Sequence, residues 1–290
     1  MAAGPGTYLD ATVGGGGHAQ ALLRAIPAEA RLLGLDRDPA ALEQAARLLR
    51  EFGDRFIPVH ASFDQLGGVM NALGLRSLAG ALFDLGLSSL QLVDGTRGFS
   101  FRPGGQLDLR FDPTQGESLK EYLAKVEEDE LARVLFAYGE IPDSRAIARL
   151  LVQARNRQPI ETTDDLRAAL RPRWGRVPHP RRLAQLFQAF RIVVNDELGR
   201  LDRALVEVPE RLGSEAVLAV ISYHSLEDRR VKRLFQGPRR TRVEVRLGAR
   251  DEPVWDVLTR KAIVPTAIEV ARNPRARSAR LRAARKRRTK

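Results

Sequence analysis

The chain of 290 residues is 43 % hydrophobic and 29 % charged, enough apolar content for one large core or two ordinary ones, and it holds no apolar run near the roughly 18 residues a membrane span requires. Cysteine is absent, which excludes disulfide scaffolds, thiol nucleophiles and cysteine-ligated zinc or iron–sulfur centres. The formal net charge of +12 points to a polyanionic partner, yet ten of the cations and no acid lie from Arg272 to Lys290, so the body is nearly neutral and residues 272–290 read as a basic tail, either a solvated extension or an arm for that partner.

The N-terminus has no basic region followed by an apolar run, so no secretory leader is expected and a cytoplasmic location follows. Through the first ninety residues short apolar strands alternate with amphipathic helical stretches, the pattern of parallel strands joined by crossover helices. Strands are expected at Thr7–Ala11, Arg31–Leu35, Phe56–His60 and Gly80–Leu85, and helices at His18–Ala25 and Pro39–Phe52, the second opened by Asp38 with Pro39 at its first position. After Gln91 the texture changes. The Gly-, Pro- and Arg-rich stretch Asp94–Pro113 leads into helices near Ser118–Tyr138, Ser144–Asn156 and Thr163–Leu170. A Pro- and Arg-rich loop, Arg171–Arg182, precedes a long amphipathic helix near Leu183–Val206, a strand at Ala216–Ser222 and a helix at Ser225–Phe235; residues 237–265 give no clear pattern. The expectation is an α/β fold with a discontinuous sheet domain, 1–96 and 183–290, interrupted by a mostly helical insertion, 97–182.

Asp10-Ala-Thr-Val-Gly14-Gly15-Gly16-Gly17-His18 places four glycines where a first strand turns into a first helix, leaving no Cβ between backbone and ligand. Gly14, Gly16 and Ala19 also fit the G-x-G-x-x-[GA] dinucleotide fingerprint, so the glycines alone suit several cofactor classes. A P-loop is excluded, because no lysine follows them and the first lysine of the chain is Lys120. Asp36 ends the second strand, where a carboxylate accepts hydrogen bonds from both hydroxyls of a ribose, and nearby Asp38 reads as a helix cap. The fourth strand ends in Ala81-Leu-Phe-Asp84-Leu-Gly-Leu-Ser-Ser89, with one carboxylate, Asp84, emerging beside the crevice.

These motifs occur with Arg97-Gly-Phe-Ser-Phe101, Leu107-Asp-x-Arg110, Tyr223-His-Ser-Leu-Glu-Asp-Arg229 and Asn273-Pro-Arg-Ala-Arg-Ser278. In that order and spacing they resemble the bacterial small-subunit rRNA (cytosine-N4)-methyltransferase family, RsmH or MraW, across nearly the whole chain. The resemblance implies a Rossmann-like class I methyltransferase sheet with an inserted helical subdomain that sets substrate choice. It implies S-adenosyl-L-methionine as cofactor and 16S rRNA, within the small ribosomal subunit, as partner. It leaves monomer and homodimer open. Family members carry a further His-x-Pro-Val-like segment ahead of the Tyr8–Asp10 strand, absent here, and Leu90 stands where Pro is common.

By the same resemblance the cofactor is held by Gly16, Gly17 and His18, by Asp36 at the ribose, by Phe63 near the adenine, and by Asp84 and Gln91 at the methionine end. Phe63 offers an apolar face, with core burial as its alternative; Gln91 offers donor and acceptor, with an ordinary loop position as its alternative. Asp84 is the candidate acceptor that polarises the cytosine N4 amino group, and His224 a candidate second acceptor or proton relay, or else a structural strand-end histidine. Tyr223, Phe99 and Phe101 offer stacking faces for an extruded base, or core packing for the phenylalanines, and Arg97, Arg102 and Arg110 offer phosphate contacts. No run of His, Asp or Glu has the spacing of a dedicated metal site, and none is expected. Two rival readings are an NAD-dependent oxidoreductase, which the glycines and Asp36 also satisfy, and a non-catalytic RNA-binding ribosome assembly factor.

Overall fold

A computed structural model describes residues 4–88, 91–92, 94–99, 104–237 and 254–288. They form two compact units, one of Met1–Gly86 with Leu198–Lys290 and one of Leu87–Glu197.

The first unit is built on a seven-stranded sheet. Five strands are parallel: β1 (Thr7–Asp10), β2 (Arg31–Asp36), β3 (Phe56–His60), β4 (Leu78–Asp84) and β5 (Leu212–Ser222). Two more, β6 (Trp255–Val257) and β7 (Arg280–Lys286), complete the order β3-β2-β1-β4-β5-β7-β6, with β7 antiparallel to both neighbours. The central strands read as almost unbroken apolar runs because both faces are covered. On one face Tyr8 and Leu32 pack with Ala19 and Leu23 of α1 (Gly17–Ala25) and Ala45 of α2 (Pro39–Leu48). On the other, Leu9, Leu33, Phe83 and Leu218 pack with α3 (Leu66–Ala72), with Leu201, Ala204 and Val208 of a long helix over Glu197–Arg211, and with Val231 and Phe235 of the helix Ser225–Gln236. Chain direction across the sheet reverses between β1 and β4, and in open α/β sheets that switch point, at the strands' carboxyl ends, is where ligands bind.

The second unit is helical, with α4 (Leu119–Lys125), α5 (Glu128–Gly139), α6 (Ser144–Arg155), α7 (Thr163–Trp174) and α8 (Pro180–Asn195) around a core that includes Leu135, Ile147, Leu166, Leu186 and Phe190. Its first helix opens with a reciprocal capping box between Ser118 and Glu121, and α7 opens with another between Thr162 and Asp165. Asn195 fastens the loop that precedes the helices: its side-chain oxygen accepts the Phe111 N–H at 2.7 Å and its amide donates to the Leu109 carbonyl at 2.7 Å.

Several expectations are corrected. The stretch expected as one helix, Leu183–Val206, is two, because Asp196 turns left-handed at φ 48° and ends α8, which begins earlier at Pro180. The expected insertion, 97–182, therefore leaves out a helix whose Leu183, Leu186, Phe187 and Phe190 build the helical core. Ser118–Tyr138 is likewise broken, where Val126 becomes extended. The loop expected at Arg171–Arg182 begins as helix, with Pro172 in the last turn of α7 and Trp174 buried under the Arg182 guanidinium, 5.8 Å from its ring centre. The largest correction concerns residues 272–290. Arg280–Lys286 is not a tail but a strand bonded to β5, and Arg282 is buried against Asp228 by two hydrogen bonds of 2.6 and 3.0 Å. Four cations in seven residues hide a strand whose pairing partner supplies the compensating carboxylate. Of the unassigned region, residues 238–253 lie outside the described residues.

Candidate functional site

β1 delivers Asp10, fully buried, to the carboxyl edge of the sheet, and the chain then turns through Val13–Gly17 into α1. Gly16 caps α1 at φ 89°, and a Cβ there would lie 3.2 Å from the Ala45 backbone, so the turn closes against α2 only with glycine. A Cβ at Gly17 would meet nothing within 4 Å, so that side of the turn is open. The turn is tied to β2 through Asp36, whose Oδ2 accepts the Gly14 N–H at 2.7 Å and whose Oδ1 accepts the Asp38 N–H at 2.8 Å. Burial raises the Asp36 carboxyl above its usual range although those amides oppose it. Asp38 has the separate task of capping α2, accepting from the Ala40 N–H at 3.1 Å.

Asp84, at the end of β4, is the hub of the arrangement. Its backbone N–H donates to Thr12 Oγ1 at 2.7 Å, which pins the end of β4 to the loop after β1. The Tyr223 hydroxyl donates to Asp84 Oδ1 at 3.0 Å, and His18 Nε2 lies 3.4 Å from Oδ2. Gly86, at φ 102°, lets the chain pass the Tyr223 ring, 3.3 Å from where a Cβ would stand. The hydrogen bond to Asp84 raises the His18 imidazole's pKa against its partial burial, and the Asp10 charge adds to it. Burial and then the Asp84 charge push the Tyr223 phenol up, so it remains a donor. Behind this cluster, burial pushes Asp10 up to about 7; its Oδ1 accepts the Thr12 N–H at 3.2 Å, and its Oδ2 has no hydrogen-bond partner among the described residues. No arginine or lysine among the described residues pairs with Asp84, Asp10 or Asp36.

The remaining predicted residues fall in three places. Phe63, in the turn after β3, is half-buried with its ring 5.6 Å from that of Phe83. His224 begins the helix Ser225–Gln236, with Nε2 3.2 Å from Glu227 Oε1, while the Tyr223 and His224 amides donate to Glu227 Oε2. The geometry thus joins Asp84 to His18 and Tyr223, and joins His224 to Glu227. Gln91 belongs to the helical unit, where it is buried, accepts the Ser88 N–H at 3.0 Å and donates its own to Ser88 Oγ. Phe99 is core, stacked on Phe111 at 5.5 Å, and Arg110 is clasped by Asp108 with two bonds of 2.8 Å. Arg97 donates to the Arg110 and Phe111 carbonyls. Phe101 and Arg102 lie outside the described residues. Sequence reasoning passed over Thr12 and Asp10, although both stand inside the glycine motif; acid and hydroxyl two residues apart at a strand end were the available signal.

Chemically, the edge offers backbone amides at an open helix start, a carboxylate placed for hydroxyls, an apolar ring, and one carboxylate held by a hydroxyl and an imidazole with its remaining lone pairs free. A profile of the MraW methylase family matches residues 1–287. The chain is 44 % identical to the ribosomal RNA small subunit methyltransferase H of Thermomicrobium roseum, over 96 % of this chain and 87 % of that one. It is 43 % identical to the protein of the same name from Nitrosococcus oceani, over 97 % and 91 %. Among solved structures it is similar to a putative rRNA-methylase from Clostridium thermocellum, with 11 % identity, a TM-score of 0.44, and coverage of 98 % and 88 %.

Proposed function

Because the chain belongs to the MraW methylase family, we propose that it methylates N4 of one cytidine in the decoding centre of 16S ribosomal RNA, within the small subunit and in the cytoplasm. The chain is an S-adenosylmethionine-dependent methyltransferase of small-subunit ribosomal RNA. None of its described helices is long and apolar enough to cross a membrane.

The residues at the carboxyl edge fit the cofactor. Gly16 lets the turn close against α2, Gly17 leaves the start of α1 open with the half-exposed His18 beside it, Asp36 keeps lone pairs for ribose hydroxyls beyond those taken by Gly14 and Asp38, and Phe63 has ring surface left for an adenine. Bound S-adenosylmethionine supplies an electrophilic methyl carbon on a cationic sulfur. The protein's own work is alignment and proton handling. The cytosine amino group is conjugated with its ring and is a poor nucleophile, so Asp84 accepts a hydrogen bond from N4–H, raises electron density on the nitrogen and takes the proton that the methylated nitrogen releases. The Tyr223 hydroxyl and the His18 imidazole hold the carboxylate from two sides and fix its direction. The helical unit, Leu87–Glu197, sets the choice of nucleotide.

The observation that carries this reading is Asp84 itself: a strand-end carboxylate at the switch point, held by donors and paired with no arginine or lysine among the described residues. The test is transfer of labelled methyl from S-adenosylmethionine to small subunits lacking the mark, with nucleoside analysis. N4-methylcytidine is expected with the chain and not with Asp84→Ala, while S-adenosylhomocysteine still raises the melting temperature of both. Label on any other nucleoside position would sink the N4 assignment.

A further inference from the structure

Between β6 and β7 the chain runs through Thr259–Ser278, with a short helix at Ala267–Arg272 and a single turn at Pro274–Ser278. It brings exposed apolar and basic side chains together. Ile263, Val264 and Ile268 are 56, 62 and 67 % exposed. Arg260, Lys261, Arg272, Arg275 and Arg277 are exposed too, and none forms an ion pair with a carboxylate among the described residues. Some surface cations elsewhere are engaged, as Arg203 is by Asp64 and Arg149 by Glu128, and others such as Arg50 and Arg145 are not, among the described residues; here five unpaired ones share a short segment with three exposed aliphatic side chains. The segment is anchored: Ile263 and Leu281 exchange backbone hydrogen bonds of 2.9 Å, so its apolar and basic side chains stand on a fixed backbone.

Its position gives this surface a purpose. Arg280, where the strap returns to the sheet, is in register with Ser222, the residue before Tyr223. Glu269 lies near enough for its charge to act on the Tyr223 phenol. The strap therefore borders the edge where Tyr223 holds Asp84.

We propose that Thr259–Ser278 is a contact surface for single-stranded RNA, its unpaired cations holding phosphates and Ile263, Val264 and Ile268 packing against unstacked bases beside the target nucleotide. This deepens, and rests on, the methyltransferase reading. Phosphates are the natural partners of clustered unpaired arginines, and unstacked bases have apolar faces that exposed aliphatic side chains cover. A second copy of the chain is the competing occupant of an exposed apolar patch. Charge argues against it, since an isologous contact would bring the five cations of each copy together.

The test uses the full chain and two measurements that do not depend on catalysis. Binding to unmethylated small subunits, and to a single-stranded RNA oligonucleotide, is followed against salt for the wild type, for Arg272→Gln/Arg275→Gln/Arg277→Gln, for the Arg→Lys version of the same triple, and for Ile263→Ser/Ile268→Ser. The glutamine triple is expected to weaken binding at least tenfold and to lower the slope of log affinity against log salt by about two, from roughly 0.7 per lost phosphate contact. The lysine triple should keep the slope, and the serine pair should weaken binding without changing it. In methyl transfer the glutamine triple should raise KM for the subunit and leave kcat and S-adenosylhomocysteine affinity unchanged, which also reports an intact fold. Unchanged affinity and salt slope in the glutamine triple overturns the proposal. So does a serine pair that converts a sedimenting dimer to monomer while RNA binding stays the same. If the wild type binds RNA but transfers no methyl to N4, the functional reading fails while the strap is still decided by the binding data.

Discussion

At the carboxyl edge of the sheet, Asp10, Asp36 and Asp84 face backbone amides, a hydroxyl and an imidazole; in the helical unit Asp108 is gripped by Arg110 through two bonds of 2.8 Å. Burial raises both kinds of carboxyl, but at Asp108 the Arg110 guanidinium outweighs it and holds the group below its usual range, whereas Asp10 is pushed up to about 7 and Asp36 is also raised. Asp228 repeats the paired pattern inside the first unit: hydrogen bonds from Arg282 hold it low against burial. The difference separates two uses of an acid. A carboxylate saturated by arginine fixes the fold. One left with weak donors and spare lone pairs is ready for a ligand or a proton.

The largest effect expected from breaking this contrast is at Asp84. Asp84→Asn keeps the shape but not the proton acceptor, and methyl transfer should fall on the order of 10²- to 10⁴-fold in kcat with S-adenosylhomocysteine affinity within a few fold of wild type. An unimpaired kcat would show that Asp84 handles no proton. Asp228→Ala should leave catalysis-side geometry alone and strike the fold: Arg282 would be buried without its partner, at a cost of about 3–5 kcal/mol read from denaturant unfolding.

Asp10 sharpens the comparison through pH. The folded chain keeps its proton up to about pH 7, while the unfolded chain gives it up near 3.8. Between those values the folded state binds more protons, so this group's contribution to stability declines as pH rises through the window and is fully present below it. Asp10→Asn, neutral at every pH, should remove that decline, a difference on the order of a few kcal/mol between the ends of the window. Melting curves of both chains from pH 4 to pH 8 measure it, and parallel pH profiles would contradict a buried, protonating Asp10. The smallest effect belongs to the helical unit. Asn195→Ala strands the Phe111 N–H and the Leu109 carbonyl and should cost about 1–3 kcal/mol in unfolding experiments, with no change in cofactor affinity.

Much of the sheet and its edge was legible in the residue order. Short apolar runs alternating with amphipathic helical stretches located β1 to β4, and four consecutive glycines before His18 located the turn, because both signals are local: the central strands, covered on both faces, need nearly unbroken apolar runs, and a positive φ favours glycine. The identities of Asp36 and Asp84 as strand-end carboxylates followed from the same spacing. The strand β7 was not legible, because its pattern of arginines makes sense only once Asp228, 54 residues away, is placed beside Arg282. Nor was the choice between His18 and His224 as the neighbour of Asp84, since one follows the first strand and the other the fifth. Sheet order alone brought β1, β4 and β5 side by side, so that Thr12 and His18, which follow β1, and Tyr223, which follows β5, meet one carboxylate at the end of β4. Sequence determined which residues end strands; only the tertiary structure decided which of those ends are neighbours, because hydrogen-bonded pairing between strands is set by packing across the whole sheet and leaves no local trace.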